Sequence, residues 1–242
     1  FWLCAAGAVA GCGIWGTHFV AMLAFQPGIP VGYDIGLTLL SVLIAAGLCG
    51  AGFLWALKPG QAIFGGALTG AAISSMHYVG MAAVRAPAEA VWSTGYVIAS
   101  VLIGIVMAAL AMHFALRDNR VRSYAIGAGL FMLAIVGMHF TAMAAVTYVP
   151  DPTIAMDGVL LDPMALAFAV ASGAVLIVTL GLTGAVVDNH LGRRALHESE
   201  RLRAHIHELE ATKRRLEVTS ANLSTALASA DAANKAKSQF LA

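Results

Sequence analysis

The sequence predicts an all-α, polytopic membrane bundle followed by a charged cytoplasmic coiled-coil helix. Three observations carry this. The 242 residues are 60% hydrophobic and only 11% charged, with a mean hydropathy of +0.81, outside the range of soluble domains. Apolar stretches recur at the roughly 20-residue length that a helix needs to cross hydrocarbon. Charge is also segregated: residues 1–188 hold five of the 14 Lys and Arg, and the last 54 residues hold the other nine.

Six stretches read as spanning helices, at approximately 1–25, 35–57, 61–84, 95–116, 123–148 and 164–187. Helix breakers separate them: Gln26-Pro27-Gly28-Ile29-Pro30, Lys58-Pro59-Gly60, Pro87, Pro150 to Pro152 and Asp162-Pro163. Lys58, Arg117, Arg120, Arg122, Arg193 and Arg194 all fall on one side when the helices alternate, and that side is cytoplasmic by the positive-inside rule. The opposite connections hold Asp34, Glu89, Asp151, Asp157 and Asp162, with Arg85 as the one basic residue. This places the chain in a bacterial inner membrane with a cytoplasmic C-terminal tail. With no initiator Met and no signal peptide, it reads as an excised piece. Domains are expected at 1–188 (membrane body), 189–231 (cytoplasmic coiled-coil helix) and 232–242 (closing run).

Each odd-numbered helix carries a histidine four residues ahead of a methionine: His18 and Met22, His77 and Met81, His139 and Met143. Positions four apart share a helix face, and imidazoles inside a bilayer usually mark function. His18 and His77 each precede the outer boundary by eight residues, and His139 precedes Pro150 by eleven. At about 1.5 Å rise per residue, all three lie on the order of 10–16 Å below that boundary, so they can share one layer. A repeat of about 60 residues supports this. Ser41 follows His18 by 23 residues, as Ser100 follows His77, with Ser172 as a candidate third counterpart. Glycines crowd the same helices: Gly11, Gly13 and Gly16; Gly65, Gly66 and Gly70; Gly127, Gly129 and Gly137. Small residues let membrane helices approach closely.

The triplicated His-(Phe/Tyr)-x-x-Met pattern, with Met76 and Met138 directly before the second and third histidines, resembles the MHYT sensor domain of bacterial signalling proteins. The resemblance covers roughly residues 1–188. It implies seven membrane helices, the first of which is missing here, and copper bound by the motif residues near the outer face. Copper would sense dioxygen, carbon monoxide or nitric oxide. The first copy departs from the pattern in having Thr17 where Met is usual.

The donor set itself suits Cu(I), which favours imidazole and thioether; no oxygen ligand for Ca or Mg and no carboxylate for zinc lies at this depth. The expected metal ligands are His18, Met22, His77, Met81, His139 and Met143, with Met76 and Met138 in reserve. Alternatives remain open. In one, each histidine donates one hydrogen bond across helices while each methionine fills space. In another, two of the histidines ligate a haem from both sides; in a third, the layer serves a transporter or membrane reductase. His113 reads as interfacial. Cys4, Cys12 and Cys49 lack metal or disulfide spacing. Trp2 and Trp15 mix core and interface, and Trp55 and Trp92 fit an aromatic belt.

In the tail, Leu202, Leu209, Leu216 and Leu223 recur every seven residues, with Ile206 and Leu227 at alternate seam positions. This predicts a parallel homodimeric coiled coil weakened by Lys213 and Ser220. Arg193, Arg194, Arg201 and Arg203 are expected to meet lipid head groups, not nucleic acid, and His197, His205 and His207 to be solvated. The run from Ala232 to Ala242 resembles the start of the phosphoacceptor helix of sensor histidine kinases. That resemblance implies a parent kinase using ATP and Mg with a response regulator or receiver domain as partner. No catalytic residue lies in this chain. The MHYT family also feeds cyclic-dinucleotide enzymes, which is the competing output.

Overall fold

The computed structural model describes residues 2–156 and 160–241, without the side chains of residues 2–4, 195, 196, 231 and 235–241. Asp157 and the side chains of Trp2, Cys4 and most of the closing 232–242 run therefore lie outside the described residues. Among the described residues six helices are formed: α1 (Trp2–Ala24), α2 (Ile35–Ala56), α3 (Ala62–Ala82), α4 (Thr94–Ala115), α5 (Val121–Met143) and α6 (Pro163–Leu241). Contacts divide the chain into two compact units, Phe1–Gly181 and Leu182–Ala242.

Five of the six helices are long and apolar enough to cross a bilayer; α3 is not apolar enough by composition. This departs from the expectation of six equivalent spans, and the reason is burial. Eleven of the 21 residues of α3 are buried, against six of 22 in α2 and four of 22 in α4. A helix enclosed by its neighbours has little surface to offer lipid, so Thr69, Ser74 and His77 can replace aliphatic side chains in it. The helices packed around it make this a multi-pass membrane protein.

Neighbours in sequence pack in space: α1 on α2, α2 on α3, α3 on α4 and α4 on α5, with α3 also touching α1 and α5. Glycine permits two of the closest approaches. A Cβ on Gly70 would fall on the backbone of Gly104 and Ile105 in α4, and one on Gly65 on the backbone of Ala56 in α2. Gly13 and Gly129 face open space instead. Two aromatic side chains fasten neighbouring helices. The Trp15 indole donates to Ser41 Oγ (3.0 Å). Ser100 Oγ donates to the Val97 carbonyl, so the Tyr78 hydroxyl donates to Ser100 (2.6 Å). The matched spacing of Ser41 and Ser100 thus has a common structural use, whereas Ser172 is exposed and takes no equivalent place.

The connections after α1, α3 and α5, expected as loops, form short strands. These are β1 (Gly32–Asp34), β2 (Val84–Arg85), β3 (Ala88–Trp92), β4 (Val146–Pro150) and β5 (Leu160–Leu161). All pairings are antiparallel, in the orders β2-β1-β5 and β3-β4, with Ala88 opposite Pro150 and Trp92 opposite Val146. The fifth apolar stretch, read to residue 148, therefore ends as a helix at Met143. The run Val146-Thr147-Tyr148-Val149 is β-branched and aromatic and pairs as a strand. The acidic residues at this end have local work. Asp34 accepts from the Leu37 amide (2.9 Å) at the start of α2 and pairs with Arg85 at 3.6 Å. Asp162 accepts from the Ala165 amide (2.8 Å) at the start of α6. Thr153 donates to Asp151 from its hydroxyl and its amide, which holds that carboxyl below its ordinary range.

In the second unit the helix is exposed, including Leu202, Ile206, Leu209, Leu216, Leu223 and Leu227. Lys213 pairs with Glu217 (3.9 Å), and His197 and His205 lie beside Glu200 and Glu208.

Because the α3–α4 contact is backbone to backbone at Gly70, Gly70→Val should destabilise the bundle by about 1–3 kcal/mol. Thermal unfolding in detergent measures this; a melting temperature equal to wild type would show that the helices part without penalty.

Candidate metal centre

Three helices each deliver one imidazole to the same point. His18 on α1, His77 on α3 and His139 on α5 are 4%, 0% and 8% exposed. His18 Nδ1 lies 3.2 Å from His77 Nδ1 and 3.3 Å from His139 Nδ1. One nitrogen from each ring falls within 4.8 Å of the others. The rings are mutually edge-on, with centroids 4.8–5.3 Å apart. The convergence expected from matched depth is what the packing produces.

Protons alone serve this arrangement poorly. A neutral imidazole has one donor and one acceptor nitrogen. If His18 Nδ1 accepts, its single lone pair faces two neighbours; if it donates, one proton faces two acceptors. Among the described residues, the buried Nε2 atoms of His18 and His77 have no partner. Each such orphan costs about 1–3 kcal/mol. A cation at the centre resolves the conflict, since all three Nδ1 lone pairs can point at it. Nitrogens each about 2.0 Å from one ion stand roughly 3.3–3.5 Å apart, close to the two separations found here.

The surroundings separate the methionines into two groups. Met76 and Met138, held in reserve by the sequence reading, line a cavity of about 100 Å³ together with the three histidines. Met22, Met81 and Met143 instead gather with Val146, Val84 and Tyr148 in an apolar cluster toward the strands. A step of four residues keeps the helix face but advances about 6 Å along the axis, which takes these thioethers out of the histidine layer. The cavity is too small for a macrocycle, which weighs against the haem alternative.

Gly80 went unnoticed in the sequence. A Cβ there would lie 2.6 Å from His18 Nε2 and 3.1 Å from its Cδ2, so the His18 ring reaches the centre only because α3 has no side chain at that point. A signal was available: Ala21, Gly80 and Ala142 are small residues three positions after each histidine. The remaining candidates stay outside. His113 is exposed in the last turn of α4, Cys12 is half-buried and Cys49 buried, both as free thiols, and His207 is exposed. Trp55 and Trp92 are exposed, as expected of belt positions.

Together the fold and this cluster define a membrane-embedded sensor type, a bundle of hairpins built around a buried three-histidine centre. Residues 11–64 and 70–128 each match the MHYT family, described as a bacterial signalling protein N-terminal repeat, and the chain belongs to that family. It is 37% identical over 204 residues to an uncharacterized signaling protein of Caulobacter vibrioides, covering 83% of this chain and 25% of the relative. It is also 37% identical over 203 residues to the bifunctional diguanylate cyclase/cyclic di-GMP phosphodiesterase MucR of Pseudomonas aeruginosa (80% and 30%). A third relative is the cyclic di-GMP phosphodiesterase NbdA of the same species, 36% identical over 214 residues (83% and 27%). The chain thus spans 25–30% of the length of these relatives. No solved structure matches it.

These relatives correct the histidine kinase expectation. The relatives with an activity in their names make or degrade cyclic di-GMP, so the kinase parent, with its ATP, Mg and response regulator, is withdrawn. The resemblance rested on eleven residues rich in Ala, Lys and Asn. Common helix-forming residues of that kind suit many signalling helices.

Gly80→Ala should displace the His18 ring and lower metal affinity at least tenfold, while Gly129→Ala, which faces open space, leaves it unchanged. Equal metal content in the two variants after equilibrium dialysis would contradict this account of how His18 is seated.

Proposed function

We propose that this chain is the membrane input module of a cyclic-dinucleotide signalling protein and holds copper at His18, His77 and His139. The observation that carries the reading is the convergence of three buried imidazoles, with His18 Nδ1 standing 3.2 Å and 3.3 Å from the Nδ1 atoms of the other two. Imidazole and thioether together favour reduced copper over harder ions. When bound, such an ion supplies an open position for dioxygen, carbon monoxide or nitric oxide. The chain's own residues do the rest. The three histidines supply the donor nitrogens, Met76 and Met138 wall the cavity, and Ile73 and Ile135 give it an apolar lining. Met22, Met81 and Met143 form a second thioether group, the natural reserve of ligands toward the strand end.

The output reading rests on the relatives' printed activities and replaces the kinase. By the placement of Lys58, Arg117, Arg120 and Arg122 in the connections opposite the strands, the protein sits in the bacterial inner membrane with its C-terminal tail in the cytoplasm. The exposed leucine stripe from Leu202 to Leu227 is the seam of a parallel homodimer. In that register Glu198 of one chain faces Arg203 of the other, and His205 faces Glu210. The tail then presents two copies of the downstream enzyme side by side.

Mass spectrometric metal analysis of the purified membrane protein should find copper in wild type and at least tenfold less in the His77→Ala, His139→Ala double variant. Equal copper in both would remove the proposed ligands. Separately, Leu209→Asp with Leu216→Asp should convert a dimer to a monomer in light-scattering measurements, and an unchanged mass would dismiss the seam.

A further inference from the structure

The histidine cavity has buried and exposed stretches of wall. Ile14, Ile73, Met76 and Met138 line it and are buried. They belong to one core cluster with Ala45, Cys49 and Ala72. Sideways, between α1 and α5, the lining residues Thr17, Val136 and Phe140 are exposed, Val136 at 44% and Phe140 at 64%. Thr17 and Ala21 also line a second, larger cavity of about 750 Å³ formed with Val170, Gly173 and Ile177 of α6. Both hollows therefore meet at one short stretch of α1, next to His18.

The chemistry of this rim is that of a surface wetted by acyl chains. Its side chains are apolar except Thr17, whose hydroxyl donates to the Ile14 carbonyl (2.8 Å) and so asks nothing of water. The cavity behind it has room for a few water-sized molecules and no more. The repeat breaks its own pattern at this place. The residue before His77 is Met76 and that before His139 is Met138, both buried in the cavity wall. The residue before His18 is Thr17, at the rim, where a methionine would reach across the opening.

We propose that a small apolar molecule reaches the histidine centre from the hydrocarbon of the bilayer, through the gap between α1 and α5, with Thr17 and Phe140 as its jambs. The identity of that molecule as a diatomic gas rests on the copper reading above; the position of the port rests on the cavity alone. Apolar gases concentrate in lipid, so a lateral port places the sensor where its ligand is most abundant and keeps charged solutes out.

The test has two arms. In the first, a nitroxide is attached through Thr17→Cys in a Cys4→Ala, Cys12→Ala, Cys49→Ala background, and the protein is placed in liposomes. Power-saturation spectroscopy then compares collisions with dioxygen and with a water-soluble nickel chelate. Dioxygen collisions exceeding nickel collisions about tenfold support the port. Dominant nickel collisions, meaning a watery rim, or suppression of both, meaning a rim covered by protein, overturn it. In the second arm, copper(I)-loaded wild type and Thr17→Met are compared by carbon monoxide recombination after flash photolysis. Recombination slowed about tenfold at equal copper content supports Thr17 as a jamb, and equal rates overturn that role. If wild type binds neither copper nor carbon monoxide, the metal reading fails, and the nitroxide result still decides the port by itself.

Discussion

The fold is organised around an arrangement that proteins usually avoid, three imidazoles pressed together in an apolar interior, where His18 Nδ1 stands within hydrogen-bond distance of two neighbours and can make a full bond with one. Burial makes this expensive, because a polar group left without a full partner in an apolar interior bears its desolvation cost. The surrounding structure makes it unavoidable. α3 supplies His77 from a helix with more than half its residues buried, and it leaves Gly80 bare so that the His18 ring can close on it. Aromatic-to-serine bonds at Trp15 and Tyr78 fix α1 to α2 and α3 to α4, and α3 packs against both α2 and α4. Rings whose positions are fixed this closely need little rearrangement to meet a common partner.

What the sequence made legible was periodic. Helix starts agreed to within a few residues because apolar length is set by hydrocarbon thickness, while the fifth helix ends at Met143 and the sixth runs on to Leu241. The histidine layer was legible because equal spacing from three helix ends translates directly into equal depth. What stayed hidden depended on pairing across the chain. The strands β3 and β4 stabilise each other although 53 residues separate Trp92 from Val146 along their register, and neither announces itself alone. The methionines divide into two groups for a similar reason. Face periodicity said where Met22, Met81 and Met143 point, while depth placed them beyond the imidazoles and left Met76 and Met138 beside them. The closing string misled because local composition was read as identity.

The three hairpins are similar but not interchangeable, and their differences are concentrated at the centre. Ser41 and Ser100 are buried anchors, while Ser172 is exposed. Gly80 sits against His18, whereas the corresponding Ala142 is fully buried and Ala21 lies at the cavity rim. The family match likewise falls on the first two units, at residues 11–64 and 70–128. A strictly symmetric trimer of hairpins would enclose its histidines equally. Breaking the symmetry at Thr17 and Phe140 leaves two histidines walled by methionine and one side of the cavity exposed.

The same asymmetry decides which helix is first affected by events at the centre. α2 and α4 meet the histidine layer only through their neighbours, and α6 carries no histidine of its own in the bundle. Phe19, fully buried next to His18 and edge-on to it at 4.8 Å, is packed on its far side against Leu166 and Val170 at the start of α6 and against Tyr33 of β1. Interiors at native packing density transmit displacement and do not absorb it. A ring that moves at His18 therefore presses on Phe19, which packs among Trp15, Gly80, Tyr33 of β1 and the start of α6. His77 and His139 have no such neighbour in that cluster, so of the three histidines it is His18, the one beside the open rim, whose ring packs on the cluster that reaches α6.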